Sequence, residues 1–330
     1  MPKKIRPSTQ NREQSIAQLW KEQSYSEEYL LQEELRNIDE IEFYKKKKMP
    51  LGIVGIIGYL ARHYLHLAAL FAWKGDLRSA QYMQLSFTYM ESAVRYQVCS
   101  SIGAKEIGRS YPIWDLDFLQ VWQGLAVRFG RQDFVEWVTP WLQDLYATGN
   151  VVDRELTHSL DLQGHSFYKA LQKAAHLGQW PCSLDTSTPK SPDIFAPLFD
   201  AAELGGDEWE ASLLHYLDNR TAQFLKYQTI NSDKRINGEG VLGPLWPLGG
   251  VLPTEIFTFQ YAFKKCFGKN LPLPLVHPIL TTPLMANLNF ALKPNAGPDE
   301  TLLRCHTFLG QILDIDLSRY EPLPKIANWK

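Results

Sequence analysis

The sequence predicts an all-α protein, an irregular multi-helix bundle of about eight to ten helices in two packed parts, with little or no β-structure. Three observations carry this expectation. Apolar residues recur at three- and four-residue intervals through most of the chain. The periodic segments stop at Gly, Asn and Pro and restart at Asp or Ser, the residues that end and cap helices. Strand-like alternation shows in one short stretch, between Pro253 and Phe267.

Taken in order, Glu13 to Lys48 carries Leu19, Trp20, Leu30, Leu31, Leu35, Ile38 and Ile41 at spacings that fit one or two amphipathic helices. The run Lys45 to Lys48 at its end complements the negative end of a helix dipole, and reads as a solvated terminus ahead of a phosphate-binding patch. Pro50 breaks the chain there. Leu51 to Trp73 is long enough for a bilayer, but Arg62 and His63 stand at its centre, where an arginine costs roughly 2.5–3.5 kcal/mol on insertion. It is expected to be a buried helix in a soluble core. Gly75 and Asp76 stop that helix and cap the next, which carries Leu77, Ala80, Met83 or Gln84, Phe87, Met90, Val94 and Val98 at helical spacing.

From Tyr111 a further pattern places Trp114, Phe118, Val121, Trp122, Leu125 and Phe129 on one stripe, closed by Gly130. Phe134 to Leu145 makes the next, with a kink or break expected at Pro140. Asp153 to Leu177 reads as another helix. Residues 181–193 are rich in Pro, Ser and Thr and make the best linker, dividing residues 1–180 from residues 194–330. Ser191-Pro192-Asp193 is a helix start. Asp207 to Glu210 resembles a capping box opening a helix to about Asn231, with Trp209, Leu213, Tyr216, Leu217, Phe224 and Tyr227 inward and Glu208, Ser212, His215 and Asn219 outward. Asn231 to Leu252 is an ordered Gly/Pro-rich loop. For Pro253 to Phe267 the helical stripe Ile256, Phe259, Phe263 and Phe267 outweighs the alternation, with Pro253 in the first turn. Pro272 to Pro283 is loop, and Glu300 to Leu313 is the last helix.

With 45% hydrophobic residues, including 16 Phe, 15 Tyr and 10 Trp, the chain has ample surface to bury, which excludes a disordered protein. The formal charge of −2 speaks against direct nucleic-acid binding. Cys99, Cys182, Cys266 and Cys305 lack the close pairs of a zinc site and read as free thiols of a reducing compartment. The basic start Met1 to Arg6 runs into polar residues rather than an apolar stretch, so no signal peptide is expected there. The expected location is the cytoplasm, without membrane attachment.

The charge is unevenly spread. Residues 1–109 are net +4 and residues 226–330 net +3, whereas residues 110–225 hold 7 basic and 16 acidic residues, net −9. Asp200 to Asp218 contains six acids and no Lys or Arg. Acids in a first helical turn are stabilised locally, but an acidic region of this extent also fits a surface that meets a basic partner.

Catalytic signatures are weak. Glu155 and His158 have the E-x-x-H spacing of helical di-iron sites, with Asp161 and His165 roughly along the same face, yet no second E-x-x-H exists. His63 and His66 lack a matching acid. No G-x-S-x-G elbow is present, and Cys305 and His306, as neighbours, point about 100° apart on a helix. Gly238-Glu239-Gly240 lacks the rest of a dinucleotide fingerprint. No enzyme activity, metal or cofactor is expected.

The order of features does resemble a known family. A Tyr-containing acidic helix (Tyr25 to Glu34) leads to a long apolar helix ending at Gly75-Asp76. Towards the C-terminus, a helix ending near Asn231 is followed by Gly243 and Trp246, a helix bearing Glu255, and a Pro-punctuated tail from His277-Pro278 to Pro283-Leu284. This is similar to the immunity proteins of polymorphic nuclease effectors, the PoNi-like family, encoded beside antibacterial toxins that include type VI secretion effectors. Glu255 lies further beyond Trp246 than in the family pattern, and Thr282-Pro283-Leu284-Met285 replaces the family's aromatic-Pro-acid ending.

The resemblance implies a non-catalytic, all-helical antitoxin that binds a cognate DNase toxin and blocks it. An electropositive nuclease cleft would be covered by acids, for which Asp115, Asp117, Asp200, Glu203, Asp207, Glu208 and Glu210 are the candidates, with Trp209 assigned to the core. Self-association into a homodimer is compatible with this reading. Two other readings are a helical metalloenzyme around Glu155, His158 and His165, and a helical scaffold or adaptor.

Overall fold

The computed structural model describes residues 8–106, 116–136, 138, 195–229, 248, 250–288 and 299–313. Among them the fold is all-α, with no strand. The elements are α1 (Thr9–Gln23), α2 (Glu27–Lys46), α3 (Pro50–Trp73), α4 (Arg78–Glu106), α5 (Leu116–Arg128), α6 (Ala196–Leu204), α7 (Gly206–Thr229) and α8 (Glu255–Phe267). A 3-10 turn (Pro278–Thr281), the short α9 (Pro283–Asn287) and α10 (Glu300–Leu313) follow.

The chain forms two compact units, each from separated stretches. One unit gathers α1 with α6, α7, α8 and the 3-10 turn; the other gathers α2 to α5 with α10. The sequential division into 1–180 and 194–330 is therefore not the division made by packing. The first helix joins the unit of the later helices and the last helix joins the unit of the earlier ones. Residues 181–193, the expected linker, lie outside the described residues, as do Ser191-Pro192-Asp193 and most of Asn231 to Leu252.

In the α2–α5 unit, α3 is the core element. It is the one described helix long and apolar enough to cross a membrane, and fifteen of its residues are buried, Ile53, Leu60, Leu67 and Phe71 among them. It packs chiefly on α4, and also on α2 and α10. Small residues let the two long helices approach closely. Ser79 Oγ donates to the Ala68 carbonyl and Ser86 Oγ to the Ala61 carbonyl, both at 2.7 Å. The two serines lie seven residues apart, as do the two alanines, so one antiparallel seam carries both bonds.

The turn between α3 and α4 follows the expected stop and restart. Gly75 takes φ +68°, which favours glycine, and Asp76 accepts a hydrogen bond from the Arg78 N–H at 2.9 Å. Leu77, expected on the buried stripe, is 91% exposed because it lies in that turn, ahead of the first helical residue.

In the other unit, α7 buries Trp209, Leu213, Tyr216, Leu217 and Phe224. Both α6 and α1 pack on it, the latter burying Ile16 and Leu19. An aromatic group unites α6 and α8: Phe195 lies 5.9 Å from Phe259 and Phe199 5.3 Å from Phe263.

Segment 253–267 is helical from Glu255 to Phe267, with Pro253 just ahead of the helix rather than in its first turn. The stretch 272–283, expected as loop, contains the 3-10 turn. His277 Nδ1 caps that turn by accepting the Ile279 N–H at 3.3 Å.

Candidate functional site

Five of the seven candidate acids come together at the corner where α6 meets α7. Gly205 and Gly206 make the corner with φ +79° and +55°, a left-handed pair that side-chain-bearing residues adopt only at a cost. Asp200 and Glu203 stand on α6, and Asp207, Glu208 and Glu210 on the opening of α7; all five are exposed. The helix starts at Gly206, one residue before the expected cap at Asp207, so Asp207 and Glu208 fall inside the first turn. There their charges oppose the positive end of the helix dipole.

Trp209 fixes this surface. Its indole is fully buried and donates from Nε1 to the Pro272 carbonyl at 2.8 Å. With that ring anchored inward, Glu208 and Glu210 on either side of it remain in solvent. Leu204, at the tip of the corner, is 73% exposed and sets an apolar side chain beside the carboxylates. The Lys269 ammonium donates to the Glu203 backbone carbonyl, bringing one cation to the edge of the group.

Asp218, the sixth acid of the 200–218 stretch, is withdrawn from the surface. Its carboxylate forms a two-pronged pair with Arg12, Nε to Oδ1 and Nη2 to Oδ2, each 2.7 Å, and meets His277 Nε2 at 3.2 Å. Because His277 Nδ1 accepts the Ile279 N–H, the ring proton is assigned to Nε2, where it donates to Asp218. Burial, the largest influence on this imidazole, lowers its pKa to about 4, so the ring is neutral near pH 7. An Asp–His pair of this kind suggests a catalytic relay, but both ring nitrogens are engaged and neither is left for a nucleophile. Asp218 instead clamps α1 onto α7 through Arg12, and His277 ties the start of the 3-10 turn to the same carboxylate.

Of the remaining two candidates, Asp115 lies outside the described residues and Asp117 sits on α5, in the other unit. Glu155, His158, Asp161 and His165 also lie outside them. Among the described residues no three His, Cys, Asp or Glu side chains are grouped to hold a metal.

Cys305 and His306 diverge as neighbours on a helix must. The Cys305 thiol is buried and its pKa pushed up to about 12, which keeps it protonated and unreactive. His306 instead bonds Tyr96 Oη through Nδ1 at 2.5 Å. Of the four-lysine run, Lys45 pairs with Glu42 at 3.0 Å and Lys46 to Lys48 are exposed.

Each unit also encloses a buried charge network that the sequence reading did not assemble. In one, Arg220 Nε donates to Glu255 Oε1 at 2.6 Å, Tyr216 Oη donates to the same oxygen at 2.8 Å, and Arg220 reaches the Gly250 and Leu252 carbonyls. In the other, Glu91 accepts from Arg95 and, through both carboxylate oxygens, from Arg131 at 2.9 and 3.0 Å. A signal was present. Arg220 shares an i, i+4 stripe with Tyr216 and Phe224, and Arg95 shares one with Phe87 and Glu91, so both arginines sit on apolar faces.

No protein-family model, no curated protein and no solved structure matches this chain.

Proposed function

We propose that this protein is an immunity protein, a non-catalytic cytoplasmic antitoxin that neutralises a cognate antibacterial nuclease of the type VI secretion class. In this reading it covers the nuclease's basic cleft with the α6–α7 corner. The observation that supports this reading is the exposure of Asp200, Glu203, Asp207, Glu208 and Glu210 around a single helix junction that buried Trp209 holds in place. A nuclease cleft must attract phosphate and is electropositive, and exposed acids of one sign accelerate encounter with such a surface. Leu204 adds an exposed apolar side chain beside the acids, which a bound partner would remove from water.

The test is an affinity pull-down from the source cell, washed at low and high salt, with the captured protein assayed for nuclease activity. One stoichiometric nuclease, silent in the complex, supports the reading. Neutralising Asp207, Glu208 and Glu210 together should slow association, most strongly at low salt. Unchanged affinity across salt concentrations, in a folded variant, would sink it.

A second reading, a helical adaptor, draws on the exposed Tyr25, Tyr29, Leu31 and Leu35 at the start of α2. Binding through those side chains would hardly respond to salt.

A further inference from the structure

We propose that the first turn of α8 is an internal solvent site, binding one ordered water molecule between Glu255 Oε2 and the hydroxyls of Thr254 and Thr258. The proposal is independent of the immunity reading and rests on how the buried polar atoms are satisfied.

Glu255 is 1% exposed and Thr254 and Thr258 are fully buried. The two oxygens of the Glu255 carboxylate are treated very differently. Oε1 accepts from both the Arg220 guanidinium and the Tyr216 hydroxyl. Among the described residues Oε2, also buried, has no donor, and neither threonine Oγ1 has a partner. A buried carboxylate oxygen with no donor carries the full cost of its lost hydration, and orphaned groups of this kind in folded proteins are met by ordered water.

The three orphaned oxygens belong to residues 254, 255 and 258, within about one helical turn of one another. Thr254 stands at the N-cap position with helical backbone angles, φ −68° and ψ −24°, and its side chain caps nothing. Thr258 is therefore one turn on from both Thr254 and Glu255, at spacings of four and three, which stack on a helix. A threonine that capped the helix in the usual extended conformation would have spent its hydroxyl on the backbone. Here that hydroxyl is unspent, one turn ahead of the equally unspent hydroxyl of Thr258.

Charge and access choose the ligand. The Arg220 guanidinium already balances the Glu255 carboxylate, so a metal cation at Oε2 would add unbalanced charge close to the arginine. An anion would meet the carboxylate directly. Residues 251–259 are all buried, an uninterrupted run of nine, so the site is enclosed by buried residues and favours a small ligand. The ligand must be small and neutral, able to donate to Oε2 while exchanging hydrogen bonds with two hydroxyls. Water meets that description with three partners, within the usual two to four for an internal water. It completes the network by which Glu255 joins α8 to α7.

A crystal structure that resolves ordered solvent is the direct test. The expected result is one peak about 2.6–3.2 Å from Glu255 Oε2 and from at least one of the two threonine oxygens. A peak at about 2.3–2.4 Å with cation-like coordination, or a protein donor on Oε2, overturns the assignment. In solution, the Thr254 methyl group should show cross-relaxation with a long-lived water. Thr258→Ser should keep that signal and Thr258→Val should lose it. A folded Thr258→Val that retains the signal rules out the hydroxyl as a ligand. If that variant does not fold, the wild-type measurement decides alone, and absence of the signal there refutes the proposal.

Discussion

Arg220 and Asp218 lie two residues apart on α7 yet make different demands on the fold. Arg220 is 3% exposed and neutralises a carboxylate that is itself 1% exposed, so removing the guanidinium leaves the Glu255 charge unpaired in the interior. Breaking a buried pair from one side typically costs about 3–5 kcal/mol. Arg220→Met should lower stability by that order in urea unfolding. The double change Arg220→Met with Glu255→Gln should recover part of it, because the stranded charge is gone. A loss below about 1 kcal/mol for the single variant would mean that bulk solvent screens the carboxylate. Within α3, two glycines make an equally sharp comparison. A methyl group at Gly55 meets open space, whereas one at Gly52 runs into the Tyr44 ring. Gly55→Ala should therefore stabilise the helix by up to about 1 kcal/mol. Gly52→Ala should lose that gain to displacement of Tyr44, so the two melting temperatures should move apart. The sequence shows two similar glycines in an apolar run; only the neighbour from α2 separates them.

Helix existence was legible wherever a long apolar stripe met clear end signals, as in α3, α4 and α7. Segment 253–267 resolved as a helix because its aromatics pack against Phe195 and Phe199 of α6, a pairing that spacing alone does not specify. What remained hidden was long-range partnership. Arg12 and Asp218 meet across 206 positions, and that contact removes Asp218 from the acidic surface while binding α1 to a unit remote from it in sequence. The exposure of the other five acids likewise depends on Trp209 finding the Pro272 carbonyl. The α3–α4 seam turns on a local regularity that is easy to overlook, Ala61 and Ala68 facing Ser86 and Ser79. Ala68→Leu should wedge the helices apart at the Ser79 bond and cost about 1–3 kcal/mol, as overpacking generally does. Ser79→Ala removes the bond without adding bulk and should cost less. Thermal unfolding of the two variants ranks them, and the reverse order would show that the hydrogen bond, rather than close approach, is what the seam requires.

For the whole molecule, histidine burial links stability to pH, and it does so unequally in the two units. The α2–α5 unit holds His63, His66 and His306, with pKa values lowered to about 4, about 3 and about 3, chiefly by burial. The other unit holds His277, lowered to about 4. Each imidazole titrates near 6.5 once unfolded, so below that pH the unfolded chain takes up protons that the fold refuses. The stability carried by neutral histidine is then complete above pH 6.5 and lost as pH falls towards the folded values, at about 1.4 kcal/mol per pH unit for each group. Glu34, whose carboxyl is raised by burial, works in the opposite direction and offsets part of this in the α2–α5 unit. Among the described residues, three refusals against one still make that unit the more acid-sensitive. Hydrogen exchange between pH 6.5 and 4 should show peptides of α3 and α10 losing protection at a higher pH than peptides of α7. His66→Phe, which fills the same buried position without a titrating group, should move the α3 transition to lower pH and leave α7 where it was. Equal loss in both units, or an unmoved α3 transition, would mean that the carboxylates and not the histidines govern acid unfolding.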